Sequence, residues 1–249
     1  MMRFIRQMTQ KLLFVAGLGL CALSASAAPA SPENGKEYAT LERPQPVDSG
    51  KKIEVIEFFA YYCPHCNALE PLLADWVKKQ GDNIVFKRVH VSDSRVLPQQ
   101  KLFYTLEALG KVDELHAKVF HTFHVERNNR LMSDGDVLEF AVKSGIDKQK
   151  FVDVYNSFSV QSKLSRATQL MSAYQVDSWP KLAIDGRYVT SPVMAASGMG
   201  RVTEDAQNLA QIQVLDSLVS KIQREKNAPA AATPATSAAS AAKAASKKK

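Results

Sequence analysis

Residues 53–60 are rich in branched and aromatic side chains and show little polar alternation, which is typical of a strand buried on both faces of a sheet. From Asn67 onward apolar residues recur at helical spacing, and residues 81–83 (Gly-Asp-Asn) provide a stop. Residues 84–91 then favour a second strand. A strand, a helix and a strand in this order predict a right-handed crossover between two parallel strands.

Between about residues 97 and 174 the pattern changes to several amphipathic helical segments. Asp134 and Asp147 stand where helix N-caps are expected. This stretch predicts an all-helical block.

After the helical block, residues 182–189 favour a hairpin with its turn at the Asp-Gly pair 185–186. The last predicted element is a helix over about residues 203–224, whose apolar side chains fall on one stripe. No internal repeat is found.

The N-terminus has the pattern of a secretory signal peptide over residues 1–27. Three basic residues precede an apolar stretch, residues 12–23, which leads to the small residues Ala-Ser-Ala at 25–27. The apolar stretch is shorter than the roughly 20 residues that a spanning helix requires. Cys21 leaves a lipoprotein anchor as an alternative, which the bulky Leu20 before it disfavours. We therefore expect an exported, soluble mature protein.

The C-terminal residues 227–249 contain Ala, Pro, Ser, Thr and Lys with no large apolar side chain, so we expect a disordered tail. Three of the 32 Lys and Arg residues lie in the predicted signal peptide and four in the tail, whereas all 25 acidic residues lie between. The folded part is therefore formally neutral despite the net charge of +7 for the whole chain. This balance argues against nucleic-acid binding, which needs a basic face on the folded domain.

Removal of the signal peptide leaves two cysteines, Cys63 and Cys66, directly after the first predicted strand. At a helix N-terminus, unpaired backbone N–H groups and the helix dipole favour a thiolate. Pro64 suits the first helical turn, and a protonated His65 would add positive charge beside the sulfur. Stabilising the Cys63 thiolate stabilises the reduced protein, so the disulfide becomes a stronger oxidant.

The cysteine pair allows two other interpretations. A purely structural disulfide closes so small a loop that it would stabilise the fold little. A structural zinc site needs four Cys or His ligands, and no second cysteine pair exists, so no metal site is predicted. His121 and His124 are interpreted as ordinary surface or packing residues.

The segment from Phe58 to Cys66, Phe-Phe-Ala-Tyr-Tyr-Cys-Pro-His-Cys, resembles the active-site segment of the DsbA family. The order of predicted elements is also similar, and the likeness covers roughly residues 35–225. The resemblance implies an α/β protein with a thioredoxin-like fold and an inserted all-helical subdomain.

On this basis the chain is expected to have six segments. They are a signal peptide (1–27), a lead-in segment (28–50), a first thioredoxin-like part (51–94), a helical insertion (95–172), a second thioredoxin-like part (173–226) and the tail (227–249).

The same resemblance implies further site residues. Pro180 corresponds to a cis-proline that faces the cysteines, and the residue before it, Trp179, would offer backbone groups to an extended peptide. Trp179 is larger than the residue expected there, which bears on substrate range. Glu57 matches a buried acid beneath the cysteines; a raised pKa would let it relay protons for Cys66, whereas Arg88 or a nearby Lys would neutralise it.

The resemblance implies a periplasmic enzyme without a cofactor that donates its disulfide to reduced, newly exported proteins. A quinone-linked membrane oxidase of the DsbB type would reoxidise it. Nothing demands more than a monomer. The alternatives are a disulfide isomerase or reductant, a non-catalytic binding protein or chaperone, and a copper-handling thiol protein.

Overall fold

The computed structural model describes residues 31–127 and 131–228. The predicted signal peptide and residues 229–249 of the predicted tail lie outside these ranges. The strands are β1 (Ala39–Thr40), β2 (Ile53–Phe59), β3 (Ile84–His90), β4 (Lys181–Ile184) and β5 (Tyr188–Thr190). The helices are α1 (Pro64–Gln80), α2 (Leu97–Ala108), α3 (Val112–His121), α4 (Asp134–Lys143), α5 (Lys148–Tyr155), α6 (Phe158–Ala173), α7 (Pro192–Ala195) and α8 (Glu204–Asn227).

In the described part of the chain the strands form a five-stranded sheet in the order β1-β5-β4-β2-β3. β2 pairs in parallel with β3 and antiparallel with β4, and every one of its residues is buried. This central position explains the near-continuous apolar pattern of residues 53–60. The strand-helix-strand unit predicted from the sequence is present as β2, α1 and β3.

The strand β1 was not predicted. It lies in the segment expected to be only a lead-in, and it pairs antiparallel with β5 at the edge of the sheet. A strand of two residues has no periodicity to detect.

The chain beyond β1 stays close to the turn between β4 and β5, where the N–H of Gln45 donates to the carbonyl of Gly186 at 2.7 Å. Gly186 has φ +65°, and a Cβ there would lie 2.1 Å from the Gln45 carbonyl oxygen, so glycine is required.

The helices α2 to α6 lie between β3 and β4 in the chain, where the sequence predicts an all-helical block. Asp147 caps α5 by accepting a hydrogen bond from the N–H of Lys150. The expected cap at Asp134 is wrong by one residue, because Ser133 caps α4 and forms a reciprocal capping box with Asp136. Asp134 is instead the first helical residue, and it accepts a hydrogen bond from the Tyr155 hydroxyl.

Side chains alternate across β2 and divide the interior into two cores. Ile56 and Phe58 belong to the core shared with the helical block, whereas Ile53 and Val55 belong to the core shared with α1 and α8. By this alternation Glu57 lies on the same face as α1. α8 extends to Asn227, one residue into the segment predicted to be a tail.

The helices α1 and α8 pack against each other on this second face. Leu69, Leu73 and Trp76 of α1 share a core with the apolar stripe of α8, and the Trp76 indole N–H donates to Asp216 at 2.7 Å. No helix within the described ranges is both long and apolar enough to span a membrane.

We predict that Leu69→Ala lowers the free energy of unfolding by about 2–5 kcal/mol, because Leu69 is fully buried and its truncation leaves a cavity in the core. The matched control is Asp75→Ala, at an exposed position of the same helix, which should change it by no more than about 0.5 kcal/mol. Urea unfolding of the reduced proteins measures both values. Equal effects of the two substitutions would contradict the packing described for α1.

Candidate active site

The cysteine pair lies at the N-terminus of α1. Cys63 is the N-cap residue, and its sulfur accepts a hydrogen bond from the backbone N–H of Cys66 at 3.3 Å. Pro64 occupies the first turn, where its missing N–H leaves no bond unmade. Both cysteines are reduced in the structure, and Cys66 is fully buried.

The two thiols differ in acidity. A hydrogen bond from the Cys66 thiol lowers the pKa of Cys63 most, whereas burial raises it. The backbone N–H groups of Cys66 and His65 and the charge of His65 lower it further, so the pKa of Cys63 is about 7. Burial raises the pKa of Cys66 well above its ordinary value. At neutral pH the pair therefore holds its negative charge on Cys63.

The loop before β4 lies against Cys63. The Trp179–Pro180 peptide bond is cis, and the Cys63 thiol donates to the carbonyl oxygen of Trp179 at 3.6 Å. The Trp179 ring packs edge-on against Tyr62, with ring centroids 6.3 Å apart. The backbone at Trp179 is thus brought to the reactive sulfur from 116 residues away.

A cavity of about 460 Å³ adjoins this loop. Its walls include His65, Trp179 and Pro180 together with Val193 and Met194 of α7. Val193 is 69% exposed, so this wall offers an apolar side chain to solvent. The opening is of a size that admits side chains of a bound peptide.

Glu57 is fully buried beneath the active-site helix and shares the charge of Arg88 with Glu70. The Arg88 Nε donates to Glu57 Oε2 at 3.0 Å, while Nη2 donates to both oxygens of Glu70 at 2.8 and 3.0 Å. The second oxygen of Glu57, Oε1, has no hydrogen-bond partner within the described residues. Burial raises the pKa of Glu57 to about 8, although Arg88 lowers it. The two interpretations made from the sequence, pairing with Arg88 and a raised pKa, thus both describe this residue.

The sequence does not single out Glu204 or His116 and interprets His124 as an ordinary surface or packing residue, yet all three lie close to the site. Glu204 Oε1 lies 2.5 Å from His65 Nδ1, and His124 Nε2 lies 2.8 Å from the carbonyl oxygen of Tyr61. His116 lies 3.4 Å from Glu70, and its Nδ1 lies 3.0 Å from the Tyr61 hydroxyl. His124 belongs to a π-helical turn, Thr122–Glu126, a geometry common at functional sites. No local motif marks these residues, because each approaches the site from a distant part of the chain.

Within residues 31–127 and 131–228, no group of three or more His, Cys, Asp and Glu side chains could hold a metal ion.

Comparison with known proteins places this geometry in a family. The model of the DSBA-like thioredoxin domain matches residues 54–210, which include the cysteine pair and the Trp179–Pro180 loop. The chain is 41% identical over 211 residues to the thiol:disulfide interchange protein DsbA of Burkholderia cepacia, an alignment covering 84% of this chain and 94% of that protein. It is 43% identical over 188 residues to DsbA of Bordetella pertussis, covering 75% and 88% of the two chains.

The chain belongs to the DsbA family.

The crystal structure of Pseudomonas aeruginosa DsbA aligns with a TM-score of 0.70 at 31% identity and covers 78% of this chain and 96% of that one. The likeness confirms the thioredoxin-like fold with additional helices that the sequence predicts. As a member of the DsbA family, the protein is a thiol-disulfide oxidoreductase.

We predict that Cys66→Ala raises the pKa of Cys63 above about 7, because it removes the thiol donor that lowers this pKa most. The value should stay below that of a free cysteine, since the backbone N–H groups remain. Cys66→Ser, which keeps a hydroxyl donor, is the matched control and should raise the pKa less. Ultraviolet absorbance of the thiolate against pH measures both, and an unchanged pKa in Cys66→Ala would refute the assigned cause.

Glu57 should make stability depend on pH. Its pKa rises from 4.5 to about 8 on folding, so the contribution of this group to the free energy of unfolding, which is fully present below pH 4.5, is lost as the pH rises towards 8. In Glu57→Gln this side chain does not titrate. The free energy of unfolding of the variant should therefore rise relative to that of the wild type by a few kcal/mol between pH 4.5 and 8, at about 1.4 kcal/mol per pKa unit. Urea unfolding of both reduced proteins across this range measures the gain. A difference between them that does not vary with pH would contradict the raised pKa.

Proposed function

We propose that the protein donates the Cys63–Cys66 disulfide to reduced, newly exported proteins. The asymmetry of the pair carries the proposal: Cys63 has a pKa of about 7 and lies against the carbonyl of Trp179, a residue that lines the cavity, whereas Cys66 is fully buried with a raised pKa. A reduced form with a stabilised thiolate is lower in free energy, so the disulfide is readily given up. Membership of the DsbA family supports the same conclusion.

In the first step a substrate thiolate attacks the sulfur of Cys63. A mixed disulfide forms, the Cys63–Cys66 bond breaks, and Cys66 leaves with the electron pair as a thiolate. Because burial disfavours the charged form of Cys66, this thiolate needs a proton. Glu57 interacts electrostatically with both cysteines and, with a pKa of about 8, is mostly protonated at neutral pH. We assign Glu57 as the proton donor.

In the second step another substrate thiolate attacks the substrate sulfur of the mixed disulfide. The substrate disulfide forms and Cys63 leaves as a thiolate, which the N–H groups of α1 and the His65 charge stabilise. The substrate is thereby oxidised by two electrons, and the protein is left as a dithiol. Pro64 contributes by leaving the first turn of the helix free of an unpaired N–H group.

The Trp179–Pro180 loop is the proposed substrate contact. Its Trp179 carbonyl lies at the Cys63 sulfur, where the backbone of an extended peptide carrying the attacking cysteine would pass. The cavity beside it has apolar walls at Val193 and Met194 that suit an apolar side chain flanking that cysteine. The bulk of Trp179 narrows the approach and would restrict the range of substrates.

The site of action and the reoxidising partner follow from the proposed role. The predicted signal peptide at residues 1–27 directs the chain to the periplasm, where disulfides persist. A quinone-linked membrane oxidase of the DsbB type would return the dithiol to the disulfide, and no cofactor is needed on this chain. The protein would act as a monomer built from the segments 28–50, 51–94, 95–172 and 173–226.

The redox equilibrium with glutathione tests the donor function. We expect wild-type protein to be reduced by glutathione with the equilibrium on the side of the dithiol, because the Cys63 thiolate is stabilised. In cells, Cys66→Ala should accumulate mixed disulfides with exported proteins and Cys63→Ser should not. A disulfide that resists glutathione would indicate a reductant instead.

Two further assays separate the alternatives. Strong refolding of scrambled ribonuclease with weak oxidation of dithiols would indicate an isomerase. Substrate binding that survives in Cys63→Ser without any turnover would indicate a non-catalytic binding protein.

A further inference from the structure

The N-termini of α1 and α8 meet beside the active site. His65 is in the first turn of α1, and Glu204 is the first residue of α8, capped by Thr203 through a hydrogen bond from the N–H of Ala206. The carboxylate oxygen Oε1 of Glu204 lies 2.5 Å from Nδ1 of His65. A carboxylate is favoured in the first turn of a helix, whereas an imidazolium at such a place is disfavoured by the dipole.

The contact with Glu204 offsets this unfavourable position of the imidazolium. The hydrogen bond that the protonated His65 ring donates to Glu204 raises the pKa of His65 most, and the Cys63 charge adds to the rise. The imidazolium in turn is one of the groups that lower the pKa of Cys63. Glu204 is thus connected to the reacting sulfur through His65.

The other charged side chains near His65 either pair with each other or are exposed to solvent. Asp177 and Lys181 line the same cavity and pair with each other at 2.6 Å. Asp205 lies in the same turn of α8 as Glu204 and is exposed. Among the described residues, Glu204 is the carboxylate in hydrogen-bond contact with His65.

We propose that Glu204 is a positioning residue that holds a protonated His65 beside Cys63 and so sets how readily the disulfide is given up. This inference rests on the proposed donor function and deepens it. Glu204 touches neither sulfur, and its effect passes through the imidazole. Since the side chains of His65 and Glu204 are 68% and 44% exposed, the effect is moderate.

The variant Glu204→Gln tests the proposal by two measurements. Nuclear magnetic resonance titration of the reduced protein should show a lower pKa for His65, because the carboxylate is gone. Near neutral pH the equilibrium with glutathione should shift about two- to fivefold towards the oxidised protein, since the Cys63 thiolate loses the neighbouring positive charge. At acid pH, where Cys63 is a thiol in both proteins, this shift should disappear.

Three further variants separate positioning from a general loss of charge. Asp205→Asn removes the same charge from the same helical turn and should leave the His65 titration unchanged. Glu204→Asp keeps a carboxylate and should restore part of the equilibrium shift. In a His65→Ala background, Glu204→Gln should no longer move the equilibrium towards the oxidised protein.

The proposal fails if Glu204→Gln leaves the His65 titration unchanged, or if the shift persists undiminished in the His65→Ala background. Failure of the donor function has a different signature. The wild-type disulfide itself would then resist reduction by glutathione, while the His65 titration would still report on the contact with Glu204.

Discussion

The N-terminus of α1 presents backbone N–H groups to the Cys63 sulfur, and the rest of the active site is organised around the negative charge that they favour. β2 delivers the chain to this point from inside the sheet, so Cys66 is fully buried, while Cys63, itself only 4% exposed, lies against the carbonyl of Trp179, a residue that lines the cavity. A small difference in position between two chemically identical thiols thereby becomes a large difference in their acidity.

Beneath this helix the protein keeps an ionisable group that costs stability. Glu57 is buried with only one of its oxygens bonded within the described residues, and Arg88 is shared with Glu70. A fully paired carboxylate would have a low pKa and could not release a proton near neutrality. The incomplete pairing is therefore consistent with the proton-donor role proposed for Glu57, and it illustrates how a functional site departs from the most stable arrangement.

Much of the fold was predictable because its elements carry strong local patterns. β2 is buried along its whole length and mostly apolar, the apolar residues of α1 recur at helical spacing, and α8 has a single apolar stripe. The weakly patterned parts were missed or shifted. β1 is too short to show a period and exists through its pairing with β5, while Ser133 rather than Asp134 caps α4 because the reciprocal bond with Asp136 favours it.

The sequence by itself determined the reactive tetrad, since Cys63, Pro64, His65 and Cys66 lie within one helical turn and their chemistry depends on local geometry. Only the tertiary structure decided which groups surround it. Arg88 reaches Glu57 through the pairing of β3 with β2, and Glu204 reaches His65 across 139 residues because α8 packs against α1. Such contacts depend on how the sheet and helices pack, and no spacing along the chain records that packing.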